Sequence, residues 1–193
     1  MDFLQSETAV NLARAFAGES QAHCRYRIFA VCARQEGHEG IARLFEDTAQ
    51  NELEHAGQYY GLLNLLGDHA PLNLRIDAGF PFPLGSTADN LGYAAAGERE
   101  EHGSVYPFFA RIARDEGFPQ AADRFELIAA AEQTHDTRFV RMRRHLTDGT
   151  LYHSDTPIVW RCAGCGHVHL ARDPWQFCPV CGRDRGWAVK AAQ

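Results

Sequence analysis

Two Glu-x-x-His motifs lie 80 residues apart in the chain, at Glu52–His55 and at Glu132–His135. Residues three positions apart share one face of a helix, so each motif can direct a carboxylate and an imidazole to the same place. Two further glutamates, Glu19 and Glu98, each follow a glycine. One glutamate from each of two helices and Glu-x-x-His from each of two others form the ligand set of a dinuclear site inside a helical bundle. Carboxylates with imidazoles suit iron or manganese.

Three other residues fall close to this ligand set. Glu101 lies three residues after Glu98 on the same helix face, and a seventh candidate ligand indicates that the coordination can change during turnover. Tyr26 lies seven residues after Glu19, and Tyr106 lies eight after Glu98. Their hydroxyls could hydrogen-bond ligand carboxylates or donate a proton. A core tyrosine with a satisfied hydroxyl explains each of them equally well.

Four amphipathic helices must position these side chains. The sequence predicts them over residues 6–35, over residues 39–66, from Ser86 onward with Asp89 completing a capping box, and from Pro119 onward. The third helix carries the stripe Leu91, Ala94, Glu98, Glu101, Val105, Phe108 and Ile112. In each stripe the Glu and His residues lie among apolar residues, which requires their burial. Since no arginine shares the stripes, metal cations are the remaining partners for so many buried carboxylates.

The four helices repeat as two hairpins. Glu36-Gly37 and Glu116-Gly117 occupy equivalent positions, where the chain is expected to turn. Each leg from turn to ligand is roughly 25 Å long, so Glu19 and Glu52 arrive at the same height. Residues 67–86 are rich in proline and glycine and cannot form one helix. Their length suits a crossover that makes helices two and three parallel, in an all-α four-helix bundle.

The end of the chain changes character after a linker at residues 147–158. Cys162-x-x-Cys165 and Cys178-x-x-Cys181 are separated by twelve residues, and a glycine follows each pair. Four thiolates at this spacing can bind one iron or one zinc tetrahedrally, and spacing alone does not decide between them. The small core around this site is expected to contain Trp160, Trp175, Phe177 and Trp187. Cys24 and Cys32 are expected to be buried apolar residues of the first helix.

Composition narrows the classes of function. Residues 1–149 have a formal charge balance of −8 and residues 150–193 have +2. An acidic chain without a basic stripe argues against a nucleic-acid partner. No apolar run approaches the roughly 20 residues needed to span a bilayer, and the first residues do not resemble a signal peptide. A soluble, cytoplasmic protein is expected.

With these motifs assembled, the whole chain resembles the rubrerythrin family. The matching segments are Ala17–Ala22, Asn51–His55, Gly97–Glu101, Glu132–His135 and the two cysteine knuckles, which resemble a rubredoxin domain. The resemblance implies a ferritin-like diiron bundle over residues 1–148 and a rubredoxin-like Fe(Cys)4 domain over residues 149–193. The implied cofactors are therefore two irons in the bundle and one in the tail, where zinc remains an alternative.

The resemblance also implies a peroxidase that reduces hydrogen peroxide to water in defence against oxidative stress. The ligands of the oxidised site would be Glu19, Glu52, Glu98, Glu101, Glu132 and His135. On reduction, one iron would exchange Glu101 for His55, while Tyr26 and Tyr106 would contact the ligands. Family members work as homodimers, with the tail iron of one subunit close to the diiron site of the other. Electrons would come from an external reductase or small redox carrier, since no Gly-x-Gly-x-x-Gly stretch suits a dinucleotide.

The chain departs from the family pattern in its tail. Gly166 is followed by His167 rather than tyrosine, His169 is followed by Leu170 rather than glutamate, and the segment after Cys181 also differs. These changes leave the cysteine ligands intact. They bear on the reduction potential and docking surface of the tail, because hydrogen bonds and exposure around the sulfurs set both.

Two other functions remain open from the residues alone. A ferritin-like oxidase would mineralise or transfer iron, although storage does not need the electron supply that the tail suggests. An interaction protein would use the tail as a zinc ribbon, and its preparation would lack the red colour of Fe(Cys)4.

Overall fold

The computed structural model of the chain describes residues 2–69 and 73–191. The helices are α1 (Glu7–Gln35), α2 (Glu39–Leu66), α3 (Thr87–Glu100), α4 (Tyr106–Asp115) and α5 (Pro119–Thr147), and the strands are β1 (Ile158–Cys162), β2 (Val168–Ala171) and β3 (Ala188–Lys190). α1 packs along α2, while α3 and α4 pack along α5. The predicted helical bundle with a small C-terminal strand region is confirmed. Within the described ranges, no helix combines the length and apolar character needed to cross a bilayer.

The capping box and the turn glycines that the sequence predicts are present in the structure. Ser86 and Asp89 form the capping box that opens α3, each side chain accepting from the other residue's backbone N–H. The two hairpins turn at Gly37 and Gly117, whose φ values of +81° and +86° lie in the left-handed region that favours glycine.

The turn of each hairpin caps the first helix of the other hairpin. The backbone N–H of Thr87 donates to Glu36 Oε1 at 3.0 Å, and that of Thr8 donates to Glu116 Oε2 at 2.8 Å. α3 therefore begins at the end of the bundle where α2 begins. The two helices run parallel, as the predicted crossover requires.

The crossover segment runs along α1. Arg14 donates from Nε to the carbonyl oxygen of Asp77 at 3.1 Å, and Gln21 donates from Nε2 to that of Pro81 at 3.0 Å. Residues 73–85 form no helix or strand, in agreement with their proline and glycine content. Pro71, which also supported the crossover prediction, lies outside the described residues.

The predicted third helix is wrong in one respect, because it is not continuous. A π-helical turn at Glu101–Val105 separates α3 from α4 and adds one residue to the helix. The buried face beyond it is consequently displaced by one position. Tyr106, Phe109 and Ala113 face the core instead of the expected Phe108 and Ile112, and Phe108 is 49% exposed. Val105 is half-buried and packs against the core as expected.

Two apolar clusters fill the bundle, one on each side of a polar layer. One cluster includes Leu12, Tyr59 and Phe125, and the other includes Phe29 and Phe45. Along each long helix the predicted ligand falls between the segments that build the two clusters. Cys24 lies outside this core: it is exposed, and Cys32 is only half-buried, so the prediction that both are buried was wrong.

The C-terminal strands form an antiparallel sheet in the order β2-β1-β3. Trp160 is fully buried there, whereas Phe177 is 66% exposed and does not join the expected tail core. The sheet region rests on the α1–α2 turn and the start of α2, where Arg43 donates from Nη2 to the carbonyl oxygen of Ala163 at 2.7 Å. Gly186 lies so close to this turn that an added Cβ would come within 1.9 Å of the Gly37 carbonyl oxygen.

Candidate metal centres

Two groups of ligand-type side chains meet in the polar layer of the bundle. The first group is Glu19, Glu52, His55 and Glu132, and the second is Glu52, Glu98, Glu132 and His135. In each group, one ligand atom from every residue lies within 4.8 Å of the others. Glu52 and Glu132 belong to both groups, so each could bridge two metal ions. These six residues are called the carboxylate centre below.

The imidazoles of the carboxylate centre face more oxygens than they can hydrogen-bond. His135 Nδ1 lies 2.6 Å from Glu132 Oε2, 3.2 Å from Glu52 Oε1 and 3.5 Å from Glu98 Oε2. His55 Nδ1 lies 2.8 Å from Glu132 Oε1. A ring nitrogen carries at most one proton, so it cannot satisfy several carboxylates at once. A metal ion can bind both the nitrogen and the surrounding oxygens.

Four buried carboxylate oxygens support the presence of cations. They accept no hydrogen bond of adequate geometry from the described residues, and they are Glu19 Oε2, Glu52 Oε1, Glu98 Oε2 and Glu132 Oε1. Buried oxygens without a partner are costly. Oxygen and imidazole donors are those that iron or manganese accepts, so the residues present fit a dinuclear iron site.

The charges of the carboxylate centre also indicate that it binds cations. Burial, and then repulsion from neighbouring carboxylates, raises the pKa of Glu19 and of Glu98 well above the ordinary value. Burial alone would lower the pKa of His135, but its hydrogen bond to Glu132 and the other nearby carboxylates outweigh burial and raise the pKa. The protein thus concentrates negative charge that divalent cations would neutralise.

The two predicted tyrosines each bond a glutamate of the opposite hairpin. The Tyr26 hydroxyl donates to Glu98, and the Tyr106 hydroxyl donates to Glu19. Both tyrosines are buried, and burial followed by the nearby carboxylates raises the pKa of each hydroxyl. The hydroxyls therefore stay protonated and keep one oxygen of each glutamate oriented.

Glu101 is close to the carboxylate centre but belongs to neither four-residue group. It is the first residue of the π-helical turn and is half-buried. A cavity of about 260 Å³ adjoins it, lined also by Tyr106, Arg25 and Phe80 of the crossover. In this arrangement it is His55, and not Glu101, that is grouped with Glu19.

The four tail cysteines also converge, and they are called the cysteine centre below. Their sulfurs lie within 4.8 Å of one another, with 3.7 Å between Cys162 and Cys181 and 3.6 Å between Cys165 and Cys178. A tetrahedron with metal–sulfur bonds of about 2.3 Å has edges of about 3.8 Å. The sulfur spacing therefore fits a single iron or zinc ion.

Two tight turns shape the cysteine centre. Gly166 and Gly182 adopt φ values of +78° and +72°, and their N–H groups donate to the carbonyl oxygens of Cys162 and Cys178, both at 2.9 Å. The backbone N–H and the guanidinium of Arg183 lie close enough to Cys181 to lower the pKa of its thiol. A lowered pKa favours the thiolate, the form that binds metal.

Comparison with known proteins agrees with this pair of centres. The rubrerythrin family model matches residues 10–143. The chain belongs to the rubrerythrin family. A curated rubrerythrin from Porphyromonas gingivalis is 41% identical over 183 residues, covering 94% of this chain and 88% of that protein.

Solved structures extend the family match to the fold. A structure described as the partially reduced state of nigerythrin is 32% identical, with a TM-score of 0.64, and the match covers 95% of this chain and 86% of that one. Mycobacterium tuberculosis bacterioferritin BfrA is 19% identical with a TM-score of 0.63, covering 74% of this chain and 87% of its own. The second likeness concerns the fold alone and supports the ferritin-like class of the bundle.

Two arginines beside the centres were not singled out from the sequence. Arg25 lies beside Gly97 of α3, and Arg183 lies so close to Gly164 of the facing knuckle that an added Cβ would come within 2.6 Å of it. For Arg183 the signal in the sequence was Gly164, whose missing side chain leaves the space. Nothing in the helical period marks Arg25, since it lies off the stripe of α1.

Proposed function

We propose that this rubrerythrin-family chain is a non-haem diiron peroxidase that reduces hydrogen peroxide to water in defence against oxidative stress. The observation that carries the proposal is the presence of two different centres in one chain: a carboxylate centre suited to two irons and a cysteine centre suited to one. The reaction is H2O2 + 2 H⁺ + 2 e⁻ → 2 H2O. Two ferrous ions bound at the carboxylate centre would supply one electron each to the breaking O–O bond.

Three features of the protein would serve this reaction: two tyrosines, a pair of exchangeable ligands and a cavity. Tyr26 and Tyr106 hold Glu98 and Glu19 by hydrogen bonds, so that the ligand oxygens stay oriented as charge at the centre changes. With iron bound, His55 and Glu101 would be the two residues that exchange as ligands between the reduced and oxidised forms. The cavity beside Glu101 and Tyr106 offers a route for a molecule as small as peroxide.

The cysteine centre would return electrons after each turnover, fed by an external reductase or small redox carrier. Its own bundle contact is at the α1–α2 turn, and Glu52 lies 15 residues beyond Gly37, or about 22 Å along α2. Electron tunnelling weakens steeply with distance, so the proposal includes a homodimer in which the tail of one copy would supply the carboxylate centre of the other. Thiolates clustered for metal also suit a reducing compartment such as the cytoplasm.

The variant Cys162→Ser tests the relay, with Cys24→Ser as a matched control because Cys24 is exposed and outside the cysteine centre. Cys162→Ser should load iron in the bundle and react once with peroxide, but lose at least about tenfold of steady-state turnover because electrons no longer return. Cys24→Ser should behave as the parent. Undiminished steady-state turnover in Cys162→Ser would refute the relay.

Metal analysis with a visible spectrum of anaerobically prepared protein tests the cofactors. Three irons per chain support the proposal, whereas two irons and one zinc would remove the relay. Growth of an iron mineral, with no consumption of peroxide beyond the iron oxidised, would instead indicate iron storage.

A further inference from the structure

Arg25 is a buried cation that forms no ion pair with a carboxylate of the described residues. The side chain is 9% exposed, and its Nη1 donates to the amide oxygen of Gln21 at 2.5 Å. Its guanidinium lies 5.3 Å from the centre of the Tyr26 ring. An amide and an aromatic face compensate only part of the cost of burying a charge, so a carboxylate partner is to be expected.

The direction of the side chain identifies that partner. Arg25 Nη2 lies 3.6 Å from the position that a Cβ on Gly97 would occupy. Gly97 precedes Glu101 by four residues, which places both on the same side of the helix. Arg25 and Glu101 also line the same cavity of about 260 Å³. The cavity gives the Glu101 side chain room to move between the carboxylate centre and the guanidinium.

Glu101 needs such a second position. Burial, then the charges of Glu132 and Glu52, raises the pKa of Glu101, while Arg25 acts in the opposite direction. Away from the metal ions, its carboxylate would face these glutamates unless a cation received it. Glu100 and Asp77, the other acids around the cavity, are exposed to solvent and do not have this need.

We propose that Arg25 is a positioning residue that receives the Glu101 carboxylate when the carboxylate centre is reduced. The inference rests on the proposed diiron function. Ferric ions attract an additional carboxylate more strongly than ferrous ions do, because their charge is greater. By stabilising the position of Glu101 away from the metal, Arg25 therefore favours the reduced form of the carboxylate centre.

Replacing Arg25 should consequently make the carboxylate centre harder to reduce. In the iron-loaded full chain, Arg25→Gln should lower the ratio of reduced to oxidised centre at a fixed potential about tenfold, or about 59 mV for a one-electron step. Arg25→Lys keeps the charge and should recover most of this change. The measurement is a potentiometric titration followed by the spectrum of the diiron site, with the tail iron as an internal reference.

A double variant separates action through Glu101 from a direct effect of the charge on the irons. In a Glu101→Gln background, Arg25→Gln should cause no further shift. A shift of the same size in that background, or equal potentials in the parent and Arg25→Gln, would overturn the inference. Crystals of the unmodified protein give a test independent of variants: after reduction, Glu101 should lie about 2.8 Å from the Arg25 guanidinium. A parent chain that binds no iron in the bundle would instead contradict the proposed function itself.

Discussion

The Tyr106 hydroxyl donates to Glu19, a residue of the opposite hairpin that lies 87 positions away in the chain. Tyr26 and Glu98 make the reciprocal bond, so each half of the repeat orients a carboxylate of the other half. The caps formed by Glu36 and Glu116 cross between the hairpins in the same way. The pseudo-twofold symmetry thus joins the hairpins through hydrogen bonds as well as through the apolar core.

Removing the Tyr106 hydroxyl should loosen Glu19. Tyr106→Phe keeps the ring in the core but deletes the donor, and loss of a hydrogen bond to a metal ligand commonly costs 10- to 100-fold in metal affinity or activity. We expect a decrease of roughly this size in peroxide turnover, iron affinity or both, and a similar result for Tyr26→Phe. Steady-state assays with iron analysis measure the two effects.

Tyr59→Phe is the matched control for the tyrosine variants. The Tyr59 ring lies 5.7 Å from that of Tyr106, and its hydroxyl bonds no carboxylate of the described residues. Turnover should stay within about twofold of the parent. Equal losses in all three variants would mean that core packing, and not the bond to a ligand, explains the effect.

The cap on α1 should make stability depend on pH. Glu116 accepts hydrogen bonds from the N–H groups of Glu7 and Thr8. Burial raises the pKa of Glu116, but hydrogen bonds from Thr8 and Glu7 outweigh burial and lower the pKa below its ordinary value. A lowered folded-state pKa contributes stability above the unfolded value of about 4.3, and this stability disappears as the pH falls through the folded value.

Glu116→Gln should therefore reduce the free energy of unfolding at pH 7 by about 1 kcal/mol, the usual contribution of a helix cap. The difference from the parent should shrink as the pH falls below about 4. Urea denaturation of metal-free protein measures both. Glu126→Gln removes only an exposed ion pair with Arg114 and should cost less. A difference that grows at acid pH would contradict the cap.

Arg183 should raise the reduction potential of iron in the cysteine centre. Its guanidinium stacks 4.3 Å from the centre of the Trp187 ring. The Arg183 backbone N–H, with a smaller contribution from the guanidinium, lowers the pKa of Cys181 to about 6. A reduced Fe(Cys)4 site carries one more negative charge than the oxidised site, so a neighbouring cation favours reduction.

Arg183→Gln should shift this redox equilibrium about tenfold toward the oxidised form, or about 59 mV. Spectroelectrochemical titration of the tail measures the shift. Arg172→Gln, which removes an exposed charge elsewhere in the tail, provides the control. Identical potentials in all three proteins would show that the guanidinium has no influence on the sulfurs.

The sequence predicted those features whose residues are close together in the chain. Glu52 and His55 share a helix face because they are three residues apart, and Ser86 and Asp89 form their capping box for the same reason. Each cysteine knuckle is also local, since its turn follows from a single glycine. Local geometry of this kind follows directly from spacing.

The features that the sequence did not predict depend on contacts across the fold. Three such contacts join residues far apart in the chain: Arg25 lies beside Gly97, each hairpin turn caps a helix of the other hairpin, and the tail packs on Gly37. The exposure of Cys24 is of the same kind, because helical period alone does not show which part of a helix surface a neighbouring element covers.

The π-helical turn left one trace in the sequence that was not recognised. Glu98 follows Glu19 by 79 residues, whereas Tyr106 follows Tyr26 by 80. One residue has therefore been added between Glu98 and Tyr106, and the turn at Glu101–Val105 accommodates it. Without it, Glu101 would occupy the place that the buried Ala22 has in α1. The added residue thus makes room for a carboxylate beside the cavity.

Deleting Gly103 should convert this turn to regular α-helix and still preserve the bundle. Tyr106 would then follow Glu98 by seven residues, the spacing with which Tyr26 follows Glu19, so its bond to Glu19 should persist. Glu101 would be forced toward the core position of Ala22, and the spectrum of the diiron site should change while helix content and the tail spectrum do not. Gly103→Ala is the control, because it keeps the chain length and its added Cβ meets nothing within 4 Å. It should leave the diiron spectrum, the helix content and the tail spectrum unchanged. If the deletion variant failed to fold, the added residue would be a requirement of the bundle and not a device for placing Glu101.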